Sequence, residues 1–281
     1  MLDLFVVEQT APVGDSWYQL NAGSGIARGD RARMSVGTEE LTAESQEQLG
    51  AFRDLLIIWN RRFNLTAIEE PAAIDRRLIG DALRMLPAID DAIAAHAVEN
   101  RNRSSKEAGA RLIDIGSGAG FPGMVLKICR PELDVTLLES TGKKVGFLDH
   151  VIADLGLKSA RAIHARAEDL GRDRAHRERY DIVTARAVSS IPALMELCTP
   201  FLRVGGHAIF PKGMEIAEEL ANGERAAVLV GARIVSHDLL SAKPNESVTR
   251  LVIAVKIEPT PDRYPRRAGV PTKDPLGRVG T

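Results

Sequence analysis

The stretch Leu112 to Gly123, LIDIGSGAGFPG, constrains this chain more than any other. Leu112 to Ile115 is a short apolar run with one acid, Asp114, near its end. Gly116, Gly118, Gly120 and Gly123 follow, and Met124, Val125, Leu126 and Ile128 then resume a helical pattern. A strand, a glycine-rich turn and a helix start therefore fall close together, the layout of a nucleotide-type cofactor site. The glycines let the backbone turn tightly and approach a ligand where a Cβ would clash. The helix start offers free N–H groups and a positive dipole end to an anionic group.

The loop reads two ways. Gly118, Gly120 and Gly123 satisfy the dinucleotide pattern G-x-G-x-x-G, whereas Gly116, Gly118 and Gly120 satisfy G-x-G-x-G after an acid, as in class I methyltransferases. Asp114 inside the strand favours the second, because dinucleotide folds usually carry an apolar residue there. Pro122 removes an N–H from the turn that would hold a pyrophosphate. S-adenosylmethionine has no phosphate and needs a home only for its smaller carboxylate. Val135 to Leu138 then forms a second apolar run ending in Glu139, where an acid can accept hydrogen bonds from both ribose hydroxyls.

The 281 residues suffice for one large domain or one domain with a smaller companion. A formal charge of −1 carries no global nucleic-acid signature, so RNA binding has to come from local patches. Cys129 and Cys198 sit in apolar helical contexts and read as buried thiols, without metal spacing or a disulfide framework. No signal peptide and no transmembrane run is evident, so a cytoplasmic protein is expected. Nothing calls for an obligate oligomer, and a monomer without metal is expected.

Residues 1–40 lack sustained periodicity and read as a flexible extension. A helix is expected from Thr42, with Leu49, Phe52, Leu55, Leu56, Trp59 and Phe63 as one apolar stripe. A second helix runs from Pro71 to Pro87 and a third over Ala88–Val98, followed by a polar linker from Glu99 to Gly109. Residues 41–105 thus read as a small helical cap. From Arg111 the pattern alternates: strands over 111–115, 133–139, 159–163, 180–185, 205–211, 228–237 and 248–257, with helices over 122–130, 142–155, 190–202 and 214–221. The alternation implies an α/β fold, a parallel sheet covered on both faces, with the last two strands pairing as a terminal hairpin. Residues 106–259 form that domain.

The tail, residues 260–281, is Pro/Gly-rich and carries five basic and two acidic side chains. It reads first as a solvated terminus. Tyr264 beside Arg263, Arg266 and Arg267 also suits RNA, with guanidinium groups for phosphate and a ring for stacking. Lys143 and Lys144 begin a helix, where basic residues oppose the dipole, and hint at an anionic partner. The Arg-rich run Gly171–Tyr180 is mixed in sign and reads as a solvated connection.

Several phrases line up in one order: WNRRFNLTAI (Trp59–Ile68), DIGSGAGFPG (Asp114–Gly123), GKKVGFL (Gly142–Leu148), RAEDL (Arg166–Leu170), TARAVSS (Thr184–Ser190), PKG (Pro211–Gly213) and YPRRAGVPTKDPL (Tyr264–Leu276). Over roughly residues 45 to 276 the chain resembles the glucose-inhibited division protein B family, bacterial small-subunit rRNA guanine-N7 methyltransferases. The resemblance implies a class I fold, a Rossmann-like, seven-stranded, mostly parallel sheet with an antiparallel final strand. It implies S-adenosyl-L-methionine as cofactor and 16S rRNA, or the small ribosomal subunit, as partner. By residue, it implies cofactor contacts at Gly116 and Phe121, an adenine border at Ala167 and Glu168, and Arg186 facing the pocket; Gly118 and Glu139 come from the loop and ribose chemistry above. The family's Arg-His-x-x-Asp-Ser phrase aligns with Arg77, Leu78, Asp81 and Ala82, so its His and Ser are missing here.

Methylation of guanine N7 needs no general base, because N7 carries a free lone pair. No residue is therefore singled out as catalytic. The fourth strand ends in TARA, without the Asn/Asp-Pro-Pro-aromatic motif that exocyclic amine methylation favours. Neither cysteine has the Pro-Cys or Thr-Cys setting of cytosine C5 chemistry. Two rivals stand beside this reading: an NAD-dependent dehydrogenase, and a non-catalytic RNA-binding ribosome assembly factor.

Overall fold

Alternation along the strands assigns successive side chains to two separate cores. In the computed structural model, which describes residues 41–100, 109–240 and 249–278, Leu112, Val135, Leu137, Ile182 and Ile209 join one buried cluster. Their strand neighbours Ile113, Leu138, Val183, Ala208 and Phe210 join the other. The expected N-terminal extension, residues 101–108 of the linker and the last three residues lie outside the described residues.

The strands are β1 (Arg111–Ile115), β2 (Asp134–Glu139), β3 (Ala160–His164), β4 (Tyr180–Ala185), β5 (Leu202–Lys212), β6 (Ala232–Leu240) and β7 (Thr249–Lys256). They form one seven-stranded sheet in the order β3-β2-β1-β4-β5-β7-β6. The first five pair in parallel, and β7 runs antiparallel between β5 and β6. The α/β class, the seven strands and the terminal hairpin are as expected from the sequence.

One face is covered by α1 (Ala43–Phe63), α2 (Pro71–Ile74), a π-helical turn (Asp75–Ile79), α3 (Gly80–Leu83), α4 (Leu86–Asn100), α5 (Gly123–Cys129) and α6 (Gly142–Asp154). Helix α1 starts where expected: the Thr42 hydroxyl accepts the Ser45 N–H at 3.1 Å. It ends at Asn64, whose φ of 49° is the left-handed conformation asparagine tolerates. Leu49, Phe52 and Leu56 are buried in the same cluster as the sheet residues, so the N-terminal helices and the sheet share one core. Trp59 is only half-buried and Phe63 is exposed, so the expected stripe stops short of the helix end. Pro87 does not end a helix. It stands at the second position of α4, where a missing N–H costs no helical bond.

The opposite face carries α7 (Ala167–Leu170), α8 (Ile191–Cys198), α9 (Ala217–Val230) and the C-terminal segment with α10 (Val270–Lys273). Helix α9 is longer than the sequence pattern indicated, and residues 228–230, read as strand, form its last turn. Val230 is buried with Ala226 and Ala227 at helical spacing, and Gly231, at φ 83°, stops the helix.

Candidate functional site

The expected cofactor residues gather at the carboxyl ends of neighbouring strands. Gly116 follows β1, Glu139 ends β2, Ala167 and Glu168 follow β3, and Arg186 follows β4. Strand β1 lies between β2 and β4, where the sheet's winding reverses, the place where open α/β sheets bind ligands.

The loop after β1 is locked from beneath. Asp114 is fully buried; its Oδ1 accepts the Thr184 hydroxyl at 2.8 Å and its Oδ2 accepts the Gly123 N–H at 3.1 Å. One carboxylate thus ties β1, β4 and the start of α5. Burial pushes this carboxyl up to about 6, against the opposing pull of those hydrogen bonds. A Cβ on Gly123 would lie 2.5 Å from Leu137 Cδ2, so only glycine fits. Gly116 adopts φ 68°, and a Cβ there would meet Val188 Cγ2 at 2.7 Å. Gly118 differs: a Cβ would have only the Gly116 carbonyl oxygen within reach, at 3.9 Å. At that point the loop presents bare backbone to open space.

Glu139 stands beside this opening. Its Oε2 accepts the Gly118 N–H at 2.9 Å and its Oε1 accepts the Thr141 N–H at 2.8 Å. Two such bonds leave further lone pairs on the same carboxylate, so its acceptors suit a ribose diol as well as the loop. Arg186 lies with its guanidinium carbon 5.5 Å from the centre of the Phe121 ring. Its Nη1 donates to the Arg77 carbonyl at 3.2 Å and stands 3.7 Å from Asp81. Burial lowers the Arg186 pKa while Asp81 and Asp114 raise it, and a guanidinium stays charged regardless. Glu168 Oε1 accepts the Gly269 N–H at 2.7 Å, tying α7 to the C-terminal segment. The structure therefore joins Gly116, Gly118, Phe121, Glu139 and Arg186 around one loop, with Ala167 and Glu168 one strand further out.

Three participants were not singled out as site residues: Thr184, Val188 and Asp81. The only sequence signal for Thr184 is its place opposite Asp114 in the parallel register. Asp81 had a signal, since it is the acid retained in the Arg77–Ala82 phrase.

The expected RNA contacts divide. Lys143 is exposed and Lys144 half-buried at the start of α6, and neither has an ion-pair partner among the described residues. Arg263 and Arg267 are exposed. Tyr264 is only 6% exposed and packs in the second core, so its ring is not presented to a base. Arg266 is spent on the fold: its Nε and Nη2 lie 2.9 and 2.7 Å from the two oxygens of fully buried Glu196, and Nη2 also donates to the Asp274 carbonyl at 2.6 Å. The C-terminal segment is thus fastened as far as Gly277, whose carbonyl accepts Arg225 Nε at 2.7 Å, rather than solvated throughout. Arg177, in the run read as a solvated connection, clamps it by donating to the Tyr264 and Thr260 carbonyls at 2.8 and 2.7 Å.

Ion pairing differs between the two ends of the strands. At their amino ends arginines are neutralised: Arg161 by Asp134 at 3.0 Å, Arg203 by Asp181 at 2.5 Å, and Arg130 nearby by Asp90 at 2.6 Å. At the carboxyl ends Arg186 and Lys212 are paired, with Asp81 at 3.7 Å and Glu219 at 2.6 Å, whereas Lys143, Lys144 and Arg166 have no acidic partner among the described residues. A chain of net charge −1 can therefore still offer a basic mouth around its loop.

Both cysteines are sealed, and burial pushes the Cys129 thiol up to about 11 and Cys198 upward as well, so neither is a nucleophile near neutral pH. Among the described residues no cluster of His, Cys, Asp or Glu could hold a metal ion, and no helix is long and apolar enough to cross a membrane.

The family model of rRNA small subunit methyltransferase G matches residues 45–248. Ribosomal RNA small subunit methyltransferase G of Chloroflexus aggregans is 43% identical over 236 residues, covering 84% of this chain and 92% of that protein. The protein of the same name from a Roseiflexus species is 44% identical over 230 residues, 82% of this chain and 91% of that one. Among solved structures, fibrillarin of Aeropyrum pernix in complex with S-adenosyl-L-methionine is a distant likeness, 18% identical over 58% of this chain and 73% of that chain, with a TM-score of 0.43. With the family model spanning the glycine loop, the strand ends around it and the N-terminal helices, and with relatives more than 40% identical over most of their length, the chain belongs to the rRNA small subunit methyltransferase G family.

Proposed function

We propose that this chain, an S-adenosylmethionine-dependent rRNA methyltransferase, transfers its methyl group to N7 of a guanine in the 16S rRNA of the small ribosomal subunit. The observation that carries this reading is the loop clamped by Asp114, with Gly118 open and Glu139 at its side. Gly116, Gly118, Phe121, Glu139, Ala167, Glu168 and Arg186 are the residues that would hold the cofactor. S-adenosylmethionine, when bound, supplies a methyl group already activated on a sulfonium.

The chain's own task is binding and orientation. Guanine N7 presents its lone pair without deprotonation, and the carboxyl nearest the loop with a pKa close to neutral, Asp114, is sealed beneath it. Placing the nucleophile in line and excluding water can be worth roughly 7–11 kcal/mol. A guanine in a loop or single strand is the accessible form. Lys143, Lys144, Arg263 and Arg267 are the phosphate contacts, on a monomeric, cytoplasmic protein. Residues 41–105 act as a cap on the catalytic part, residues 106–259, and the described residues of the 260–281 tail, 260–278, fasten to it.

Isothermal titration with S-adenosylmethionine and with NAD tests the cofactor, and tritiated methyl transfer to 16S rRNA tests the reaction. Wild type binds S-adenosylmethionine and labels the RNA, while Gly116→Asp does neither. Binding of NAD in place of S-adenosylmethionine overturns the reading.

A further inference from the structure

We infer that the seam between α1 and α6 is a second RNA platform, taking a single-stranded segment that flanks the target nucleotide. The inference rests on the rRNA reading above and assigns a surface that neither the glycine loop nor the C-terminal segment provides.

The two helices run antiparallel. Gln48 Nε2 donates to the Leu155 carbonyl at one end, and Trp59 packs on Phe147 and His150 further along, with ring centres 5.6 and 4.9 Å apart. Phe63 lies one turn past Trp59, at 5.3 Å, and Lys143 one turn before Phe147. Both therefore stand toward the end of the helix pair that borders the carboxyl end of β2. Arg62 is three residues from Trp59 and shares its helix face. It is exposed and has no acidic partner among the described residues. Residues 55–64 and 142–148 contain no acid, and the exposed Asp149 marks the far limit of the basic stretch on α6.

Two features of this face leave surface open to a partner. Phe63 is 36% exposed beside a half-buried tryptophan, where the apolar stripe could have ended in a polar residue. Gly146 sits in the middle of α6, where glycine weakens a helix relative to alanine, yet an added Cβ would meet nothing within reach. No packing contact explains that glycine. A partner lying flat against the helix between Lys143 and Phe147, short of Asp149, does. Exposed rings interleaved with unpaired cations, over a smooth helix surface, fit bases that stack and phosphates that are neutralised.

The test is equilibrium binding of full-length protein to a labelled single-stranded RNA oligonucleotide, to protein-free 16S rRNA and to assembled small ribosomal subunits, across a salt series. Phe63→Ala is expected to weaken binding roughly tenfold. Arg62→Ala lowers the slope of log affinity against log salt by about 0.7. Gly146→Leu raises thermal stability and weakens RNA binding together, a combination that a purely structural glycine would not give. Affinity for S-adenosylmethionine is unchanged in all three. Wild-type RNA affinity and salt slope in the variants overturn the platform. So does weakened binding only to assembled small subunits, which would mark the face as a protein contact. Because binding is read directly, a wild type that binds RNA through this face yet transfers no methyl group sinks the function and not the platform.

Discussion

Gly116→Ala puts the central loop under a load whose parts can be separated. Residue 116 has φ 68°, and a side chain in that left-handed region costs about 1–2 kcal/mol. The new Cβ would also lie 2.7 Å from Val188 Cγ2, an overpacking contact of about 1–3 kcal/mol. The next Val188 atoms are at 3.9 Å, ordinary contact, so the clash belongs to one methyl group. The variant should lose about 2–5 kcal/mol by urea unfolding and bind S-adenosylmethionine at least tenfold more weakly. Truncating Val188 to alanine in the same chain removes the clash and leaves the backbone strain. The double variant should therefore recover about 1–3 kcal/mol relative to the sum of the singles, a coupling that only neighbouring side chains show. Additive losses would refute the claim that the loops after β1 and β4 form one cradle.

Asp114→Asn probes the buried carboxyl. Its folded pKa of about 6 lies above the ordinary carboxylate value, so the protonated form is the one the fold prefers. Relative to the asparagine variant, wild type should lose roughly 3 kcal/mol as pH rises from about 4 through 6, by the linkage between pKa and stability; parallel stability–pH curves would contradict it. Arg266→Ala leaves the carboxylate of fully buried Glu196 without its partner, an expected loss of about 3–5 kcal/mol in denaturant unfolding. Asn60→Ala breaks two bonds, the Thr66 N–H to Oδ1 at 2.9 Å and Nδ2 to the Thr66 carbonyl at 3.0 Å, and should cost about 1–3 kcal/mol by the same measurement.

The sheet was legible because its signals are local: period-2 runs, helix starts, and glycines where a Cβ has no room. The strand ends followed, and with them the positions of Gly116, Glu139 and Arg186. What escaped was decided by partners distant in sequence. Arg266 looks like an RNA contact until buried Glu196, 70 residues away, takes its guanidinium. Tyr264 looks like a stacking ring until the second core closes over it. Arg177 sits in a run of mixed charge, and only the folded chain brings three backbone carbonyls of residues 260–264 within its reach. At 228–230 Val-Leu-Val suits a strand by composition, whereas Gly231 and the buried Ala226 and Ala227 keep it helical. Asp81 was quoted for its place in a phrase, but its pairing with Arg186 required the N-terminal helices to pack on the glycine loop.

The central claim is a methyl group placed on guanine N7 of 16S rRNA. Tritiated methyl transfer from S-adenosylmethionine to small ribosomal subunits from a strain lacking this gene, followed by nucleoside analysis, measures it directly. Label is expected in 7-methylguanosine and absent with Gly116→Asp. Label in another nucleoside, or none from a protein that binds S-adenosylmethionine, would contradict it.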